Sequence, residues 1–176
     1  MLKYCVVLFI AVAAQLQLGA QVDSIAADPK DIDSPRAIVG ALYDVVSGPA
    51  GQKRNWPRMR TLFSQEAKLI PVGMRAGGIS VKRALSIEEY IGGNGPYLEK
   101  EGFFEKEINF RMDQFGQIAQ VFSTYESRHR ADDKLPFMRG INSIQLWNDG
   151  KRWWIINILW QNESPTLPIP SEYAGG

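Results

Sequence analysis

The chain has 176 residues, 45% of them hydrophobic and 22% charged, with a formal net charge of +1. This length suits one domain, and the balanced charge lacks the basic excess that binds nucleic acid or an anionic membrane surface. One cysteine and one histidine supply neither a disulfide nor the usual ligands of a zinc site. We therefore expect no cofactor, no metal and no nucleic-acid partner.

Residues 1–20 have the pattern of a secretory signal peptide. Lys3 gives a positive start, residues 5–18 form an apolar run too short to span a bilayer, and the segment ends at the small residue Ala20. The alternatives are an uncleaved membrane anchor and a frayed hydrophobic N-terminus. Cleavage would remove the cysteine and leave 19 basic and 19 acidic residues. The pattern predicts an exported protein, periplasmic or secreted, without membrane contact after cleavage.

A flexible leader is predicted over residues 21–33, followed by two helices. Ser34-Pro35 combines an N-cap residue with a proline at the first helical position, which predicts a helix over residues 34–47. Asn55 precedes a second, shorter helix. Two short strands are predicted next, at residues 67–72 and 79–83.

A third helix is predicted from Ser86, and an irregular tail closes the chain. Glycines and a proline predict that this helix breaks into two segments; they are Gly92, Gly93, Gly95 and Pro96. The Pro-rich tail covers residues 164–176, where the prolines disfavour regular structure.

Residues 103–129 predict a first hairpin with alternating faces. A four-residue loop at 113–116 would place Phe104, Ile108, Phe110 and Met112 on one face, together with Val121, Ser123 and Tyr125. Glu105 and Glu107 would then share the wetter face. An odd loop length would exchange the faces.

A second hairpin is predicted over residues 138–161, with Asp149-Gly150 as a two-residue turn. This register pairs Asn142 with Asn157 on an otherwise apolar face, although a slip of two residues would separate them. The opposite face carries four large apolar residues, Trp154, Ile156, Ile158 and Trp160. Such a face is expected to be covered, and we predict a homodimer through it.

Five segments together resemble the SnoaL-like, nuclear transport factor 2-like (NTF2-like) superfamily: NWPRMRTLF, SIEEYI, GFFEKEINF, FGQIAQVFSTYESR and RGINSIQLWNDGKRWWIINILWQNE. The resemblance covers residues 34–163. It implies an α+β cone-shaped NTF2-like fold, in which a curved, mostly antiparallel sheet wraps around N-terminal helices and leaves a pocket. The superfamily includes isomerases, dehydratases and non-catalytic domains, so the resemblance leaves the activity open.

Candidate ligand-binding residues are the two amides and several aromatic side chains that could line the pocket. Buried amides need partners and could orient a ligand, although they could also bond each other. Aromatic rings suit an apolar ligand, although each could equally fill the core. The candidates are Asn142, Asn157, Trp153, Tyr43, Trp56 and Tyr90.

His129 and Tyr125 are the candidate catalytic residues. His129 is the one side chain whose ordinary pKa lies near neutrality, and Tyr125 lies on the same predicted strand face. The alternative for His129 is a solvated position at a strand end.

Three hypotheses follow for the function. The first is binding of a small apolar molecule without transformation, the second is an acid–base enzyme of the isomerase or dehydratase type, and the third is a dimerisation or interaction module. An enzyme would require a buried carboxylate or His129 close to a second polar group in an open pocket.

Overall fold

The computed structural model describes residues 25–175. The helices are α1 (Pro29–Ile32), α2 (Pro35–Val46), α3 (Trp56–Leu62), α4 (Ile87–Glu101) and the 3-10 turn Ser171–Tyr173; the strands are β1 (Phe63–Arg75), β2 (Ile79–Lys82), β3 (Phe104–Phe115), β4 (Ile118–Arg128), β5 (Met138–Asn148) and β6 (Trp153–Asn162). The predicted signal peptide lies outside the described residues. Within residues 25–175, no helix combines the length and apolar character needed to cross a membrane.

The predicted helix starts are confirmed, because each has a side chain that caps free backbone N–H groups. Ser34 accepts from Ala37 N at the start of α2, Asn55 accepts from Arg58 N at α3, and Ser86 forms a capping box with Glu89 at α4. The leader prediction is wrong for its last part. Asp28 caps the short helix α1, whose Asp31 is buried and paired with Arg58.

Helix α4 does not break at its glycines and proline. It continues through Pro96 to Glu101. Gly95 lies against the indole of Trp56, where an added Cβ would come within 3.2 Å of the ring. The missing side chain therefore allows close packing of α4 on α3, and this tertiary contact outweighs the weak local helix preference. The tail is also more regular than predicted, since residues 171–173 form a 3-10 turn.

The six strands form one curved sheet in the order β2-β1-β6-β5-β4-β3. All neighbouring strands are antiparallel except β1 and β6, which are parallel. Helices α2 and α4 lie against one face, called here the inner face, and the core cluster includes buried residues from both. The α+β NTF2-like fold class predicted from the sequence is confirmed.

The first hairpin has a two-residue loop, with Phe115 opposite Ile118, instead of the four-residue loop predicted. The faces near this turn are still as predicted, since Phe110 lies opposite Ser123. A β-bulge at Ile108 then shifts the register, and Glu107 lies opposite Tyr125. Because one extra residue exchanges the two faces, the predicted position of Glu105 and Glu107 on the wetter face is wrong.

The second hairpin also contains a bulge. Asn148 lies opposite Trp153, so the predicted Asp149-Gly150 register is displaced by two residues, and an extra residue at Ile156 displaces it once more. Asn142 therefore lies opposite Trp160 instead of Asn157, which lies opposite Gln145 on the outer face. The predicted asparagine pair is wrong for this reason.

Candidate active site

A cavity of about 170 Å³ lies between α2, α4 and the inner face of the sheet. Most of its wall is apolar, with Leu42, Met59 and Ile158 among the contributing residues. The polar side chains on the wall are Tyr43, Tyr90, Asn94, Tyr97, Glu105, Tyr125 and Asn142. A mostly apolar cavity with a few polar groups is the usual form of a small-molecule site.

Glu105 carries the ionisable group with the greatest chemical interest in this cavity. Burial raises the pKa of its carboxyl to about 7, and the nearby Asn142 amide opposes the rise. Among the described residues, no lysine or arginine forms an ion pair with this carboxyl, since the recorded pairs use other acids. Glu105 is therefore close to half protonated at neutral pH.

Tyr43 and Asn142 belong to a hydrogen-bonded chain that leads out of the cavity. The Asn142 Nδ2 donates to the Tyr43 hydroxyl (3.0 Å), which lies 2.7 Å from Ser123 Oγ. Ser123 donates to Glu107 Oε1 (2.6 Å), and Glu107 Oε2 accepts from the exposed Arg36 (2.9 Å). Burial raises the pKa of Glu107, whereas Ser123 and Arg36 lower it.

Tyr90 and Tyr125 differ in what their hydroxyls bind. Tyr125 donates to Asn162 Oδ1 at 2.6 Å. Tyr90 packs its ring edge-on against Trp160, and its hydroxyl has no hydrogen-bond partner in the described part of the chain. Burial and, secondarily, the charge of Glu105 raise the pKa of both phenols, so both remain protonated at neutral pH.

The structure brings together four of the residues predicted from the sequence. Asn142, Tyr43, Tyr90 and Tyr125 all line the cavity. Their roles in ligand binding or catalysis stay predictions.

The structure places the other candidates elsewhere. Asn157 lies on the outer face, because the extra residue at Ile156 exchanges the two faces of β6 beyond it. Trp153 is buried in the core, and Trp56 donates to Glu99 Oε1 beside α4. None of the three lines the cavity.

His129 is half-buried and also lies off the cavity wall. Its ring stacks on Phe137 with centroids 4.1 Å apart, and its Nδ1 lies 3.1 Å from the Gly102 carbonyl oxygen. It lies four residues beyond Tyr125 and just after the end of β4, whereas Glu105 and Tyr125 line the cavity. Its position favours a structural contact at the end of β4.

The apolar face predicted to form a homodimer is not one continuous surface. Ile158 and Trp160 line the cavity, whereas Trp154 lies opposite Trp147 on the outer face. The tail also covers part of the outer face, where Tyr173 packs edge-on against Phe122 at 5.1 Å. The prediction that these residues share one face is therefore wrong, and a homodimer through the sheet stays a prediction.

Sequence reasoning missed Glu105, and one residue signals the error. With strict alternation, Lys106 would share the inner face with Phe104 and Ile108, which is an unfavourable place for a lysine. A bulge at Ile108 removes this conflict by turning Lys106 outward. Trp160 gave no such signal, because both faces of β6 are apolar. Among residues 25–175, no three His, Cys, Asp or Glu side chains gather as a metal site would require.

No family model matches the sequence, and no curated protein is significantly similar to it. Solved structures are similar in fold. A protein of unknown function with a cystatin-like fold from Nostoc punctiforme has 15% identity and a TM-score of 0.55 over 76% of this chain and 90% of its own.

Two further structures give the same result. An NTF2-like protein of unknown function from Pseudomonas putida has 11% identity and a TM-score of 0.54, over 77% of this chain and 89% of its own. The yeast UBP3-associated protein BRE5 has 13% identity and a TM-score of 0.52, over 73% and 93%. At these identities the likeness concerns the fold alone. The chain has the NTF2-like fold, as its sequence predicts.

Proposed function

We propose that this protein is an acid–base enzyme of the isomerase or dehydratase type that acts on a small apolar molecule, with Glu105 as the group that accepts and returns the proton. The observation that carries the proposal is a carboxyl group on the wall of an apolar cavity, without a cationic partner among the described residues. A purely structural carboxylate is normally paired or solvated, because burying an unpaired charge is unfavourable.

The raised pKa of Glu105 suits this role. A general base works best when its pKa lies near the working pH, since it must both accept and release a proton. At a pKa of about 7, Glu105 exists in both forms at neutral pH. An ordinary exposed glutamate would be almost fully ionised and a weaker base.

Tyr90 supplies the second polar group that such chemistry needs. Its hydroxyl is protonated and has no partner within residues 25–175, so it is free to donate to a ligand oxygen. Donation to a carbonyl oxygen stabilises the negative charge that develops when a proton leaves the adjacent carbon. Tyr125 is less suited, because its hydroxyl already donates to Asn162.

The cavity volume limits the ligand class. An apolar protein cavity of about 150 Å³ accommodates benzene, so the cavity of about 170 Å³ fits one ring or a short branched chain. A carbonyl group with an acidic neighbouring C–H fits Glu105 and Tyr90 together. In isomerisation, Glu105 would remove the proton from the carbon next to the carbonyl and return it to another carbon of the conjugated system. In dehydration, Glu105 would remove the same proton and then give it to the departing β-hydroxyl group, which leaves as water.

Binding without transformation is the second candidate. Two of the phenols on the cavity wall already form hydrogen bonds within the protein, Tyr43 with Ser123 and Tyr125 with Asn162. Hydroxyl groups that are already hydrogen-bonded leave a mostly apolar wall, which suits a protein that binds an apolar molecule without transforming it. Export from the cytoplasm and self-association stay predictions under either candidate.

The test is proton exchange on small cyclic ketones and enones in heavy water, followed by NMR. The full chain is expected to accelerate exchange next to the carbonyl, and Glu105→Gln is expected to slow it by about 100-fold or more. Glu66→Gln, at an exposed position of β1, is the matched control and should exchange like the unmodified protein. Probe binding without exchange would favour the container, and exchange that survives Glu105→Gln would contradict the role of Glu105.

A further inference from the structure

Four hydrogen bonds connect the protein surface to the cavity wall. They run from Arg36 to Glu107, Ser123, Tyr43 and Asn142, with donor–acceptor distances of 2.6 to 3.0 Å. Ser123, Tyr43 and Asn142 are buried, whereas Arg36 is 65% exposed at its side chain. The acid–base role proposed above assigns no part to these five residues, although Asn142, at the inner end, lines the same cavity as Glu105.

Glu107 fixes the direction of every bond in the chain. Its carboxylate can only accept, so Ser123 donates its single hydroxyl proton to it. Ser123 Oγ must then accept from the Tyr43 hydroxyl, and Tyr43 in turn accepts from Asn142 Nδ2. The amide of Asn142 is thereby held with its N–H group toward Tyr43.

We propose that Glu107 is a positioning residue that holds the Asn142 amide, through Ser123 and Tyr43, with its nitrogen directed toward the Glu105 carboxyl. Asn142 and Glu105 line the same cavity, and the Asn142 amide favours the ionised form of the Glu105 carboxyl. Only the N–H group of the amide can do so, because an ionised carboxylate accepts hydrogen bonds and cannot donate them. Glu107 therefore adjusts the strength of the base without touching the ligand. The importance of this adjustment for catalysis rests on the proposed function, whereas the adjustment itself is measurable in the free protein.

Glu107→Gln reverses the chain. Arg36 is a donor, so the amide oxygen of the new glutamine turns toward Arg36 and its nitrogen turns toward Ser123. Ser123 must then accept from residue 107 and donate to Tyr43, and Tyr43 must donate to Asn142. The Asn142 amide has to present its oxygen to Tyr43, and Glu105 loses the N–H group that favours its charge.

The test is a ¹³C NMR titration of the glutamate carboxyls in the full chain, with the Glu105 signal assigned by its loss in Glu105→Gln. In Glu107→Gln, the pKa of Glu105 should rise by about one pH unit, the usual scale for losing a hydrogen bond to a charged group. Loss of the negative charge at position 107 would by itself lower that pKa, so the two explanations predict opposite signs. Tyr43, Tyr90 and Tyr125, the phenols around Glu105, stay neutral across this range because burial raises the pKa of each.

Ser123→Ala provides a second variant with a smaller change. It disconnects Tyr43 from Glu107, so the pKa of Glu105 should rise here as well. Adding Glu107→Gln in this background should give no further rise, because only the loss of the charge at position 107 remains, and that loss lowers the pKa. Arg36→Gln is the control: it removes the ion pair but leaves Glu107 as an acceptor, so the Glu105 titration should stay unchanged.

An unchanged or lowered pKa of Glu105 in Glu107→Gln would overturn the proposal, as would a rise in that pKa when Glu107→Gln is added to Ser123→Ala. If Glu107→Gln does not fold, an unchanged pKa in Ser123→Ala overturns it equally. Because the titration needs no ligand, a negative result here leaves the exchange test of Glu105 intact. Absence of exchange likewise leaves the titration valid.

Discussion

Each of the two long hairpins contains a region near the turn and a region beyond a β-bulge. The alternation of apolar and polar residues predicts the faces of the first region correctly and those of the second incorrectly. Near the turns, simple alternation holds: Leu146 lies opposite Ile155 on the inner face, and Phe110 lies opposite Ser123. Beyond the bulges at Ile108 and Ile156, the faces are exchanged, and this region holds Glu105 and Trp160 on the cavity wall. The bulges thus separate a regular scaffold from the part of the sheet that carries the candidate site.

The bulge at Ile156 is tested by the stability of neighbouring variants in β6. Ile158 is 4% exposed and Leu159 is 38% exposed, the reverse of what uninterrupted alternation predicts. Ile158→Ala should therefore lower the free energy of unfolding by about 2–5 kcal/mol, and Leu159→Ala by less than about 1 kcal/mol. Urea denaturation of both variants measures the difference. Equal losses, or a larger loss at Leu159, would contradict the register.

The bulge at Ile108 is tested by the pH dependence of stability. The pKa of Glu105 rises from an ordinary 4.5 to about 7 on folding, so the folded state holds the proton more tightly than the unfolded state. Its contribution to stability therefore falls as the pH rises between these values. Above about pH 7 the destabilisation is on the order of 3 kcal/mol, and below about pH 4.5 it vanishes.

Glu105→Gln should accordingly stabilise the protein relative to the unmodified chain at about pH 8, and the gain should shrink as the pH falls toward 4.5. Denaturant unfolding at several pH values measures it. Glu66→Gln, at an exposed position, is the matched control and should give no such pH dependence. A constant difference between Glu105→Gln and the unmodified protein would mean that Glu105 faces solvent.

Gly140 in β5 is closely surrounded by atoms of β4 and β6, and an alanine at this position tests that contact. A Cβ at this position would overlap with the Tyr125 hydroxyl and lie 2.6 Å from the Gln161 carbonyl oxygen. Gly140→Ala should therefore cost about 1–3 kcal/mol of stability. Gly73→Ala in β1, where no atom lies within 4 Å, should be neutral or slightly stabilising. Thermal unfolding separates the two, and equal midpoints would contradict the close contact at Gly140.

Two tyrosines on the cavity wall give the smallest expected difference. Tyr125→Phe removes the hydrogen bond to Asn162 and should cost about 1 kcal/mol. Tyr90→Phe should change stability by less than about 0.5 kcal/mol, because its hydroxyl has no partner among the described residues. Denaturant unfolding measures both. A larger loss in Tyr90→Phe would show that its hydroxyl is already engaged and is not free for a ligand.

The sequence predicts the fold better than the site for a physical reason. Caps at Ser34, Asn55 and Ser86 are local signals, and they locate the helix starts correctly. A bulge is one extra residue whose cost and benefit depend on tertiary packing, so periodicity does not reveal it. Four residues could be predicted at the cavity because the two bulges do not change the direction of their side chains. Tyr43 and Tyr90 lie on helices, whereas Tyr125 and Asn142 lie on β4 and β5, and the extra residues are in β3 and β6.

Glu105 and Asn157 could not be predicted, because their faces depend on the two bulges. In β3 the misplaced Lys106 is the one residue that conflicts with simple alternation. In β6 the apolar side chains on both faces are compatible with either register, so the sequence does not indicate where the bulge lies.

Above all, we propose that the bulge at Ile108 directs the Glu105 side chain into the apolar cavity. There the carboxyl group becomes a base suited to neutral pH. A ¹³C NMR titration of the unmodified full chain, with the Glu105 signal assigned through Glu105→Gln, tests this most directly. We expect an apparent pKa of about 7 for Glu105. A value near the ordinary 4.5 would place the carboxyl in solvent and contradict both the register and the proposed base.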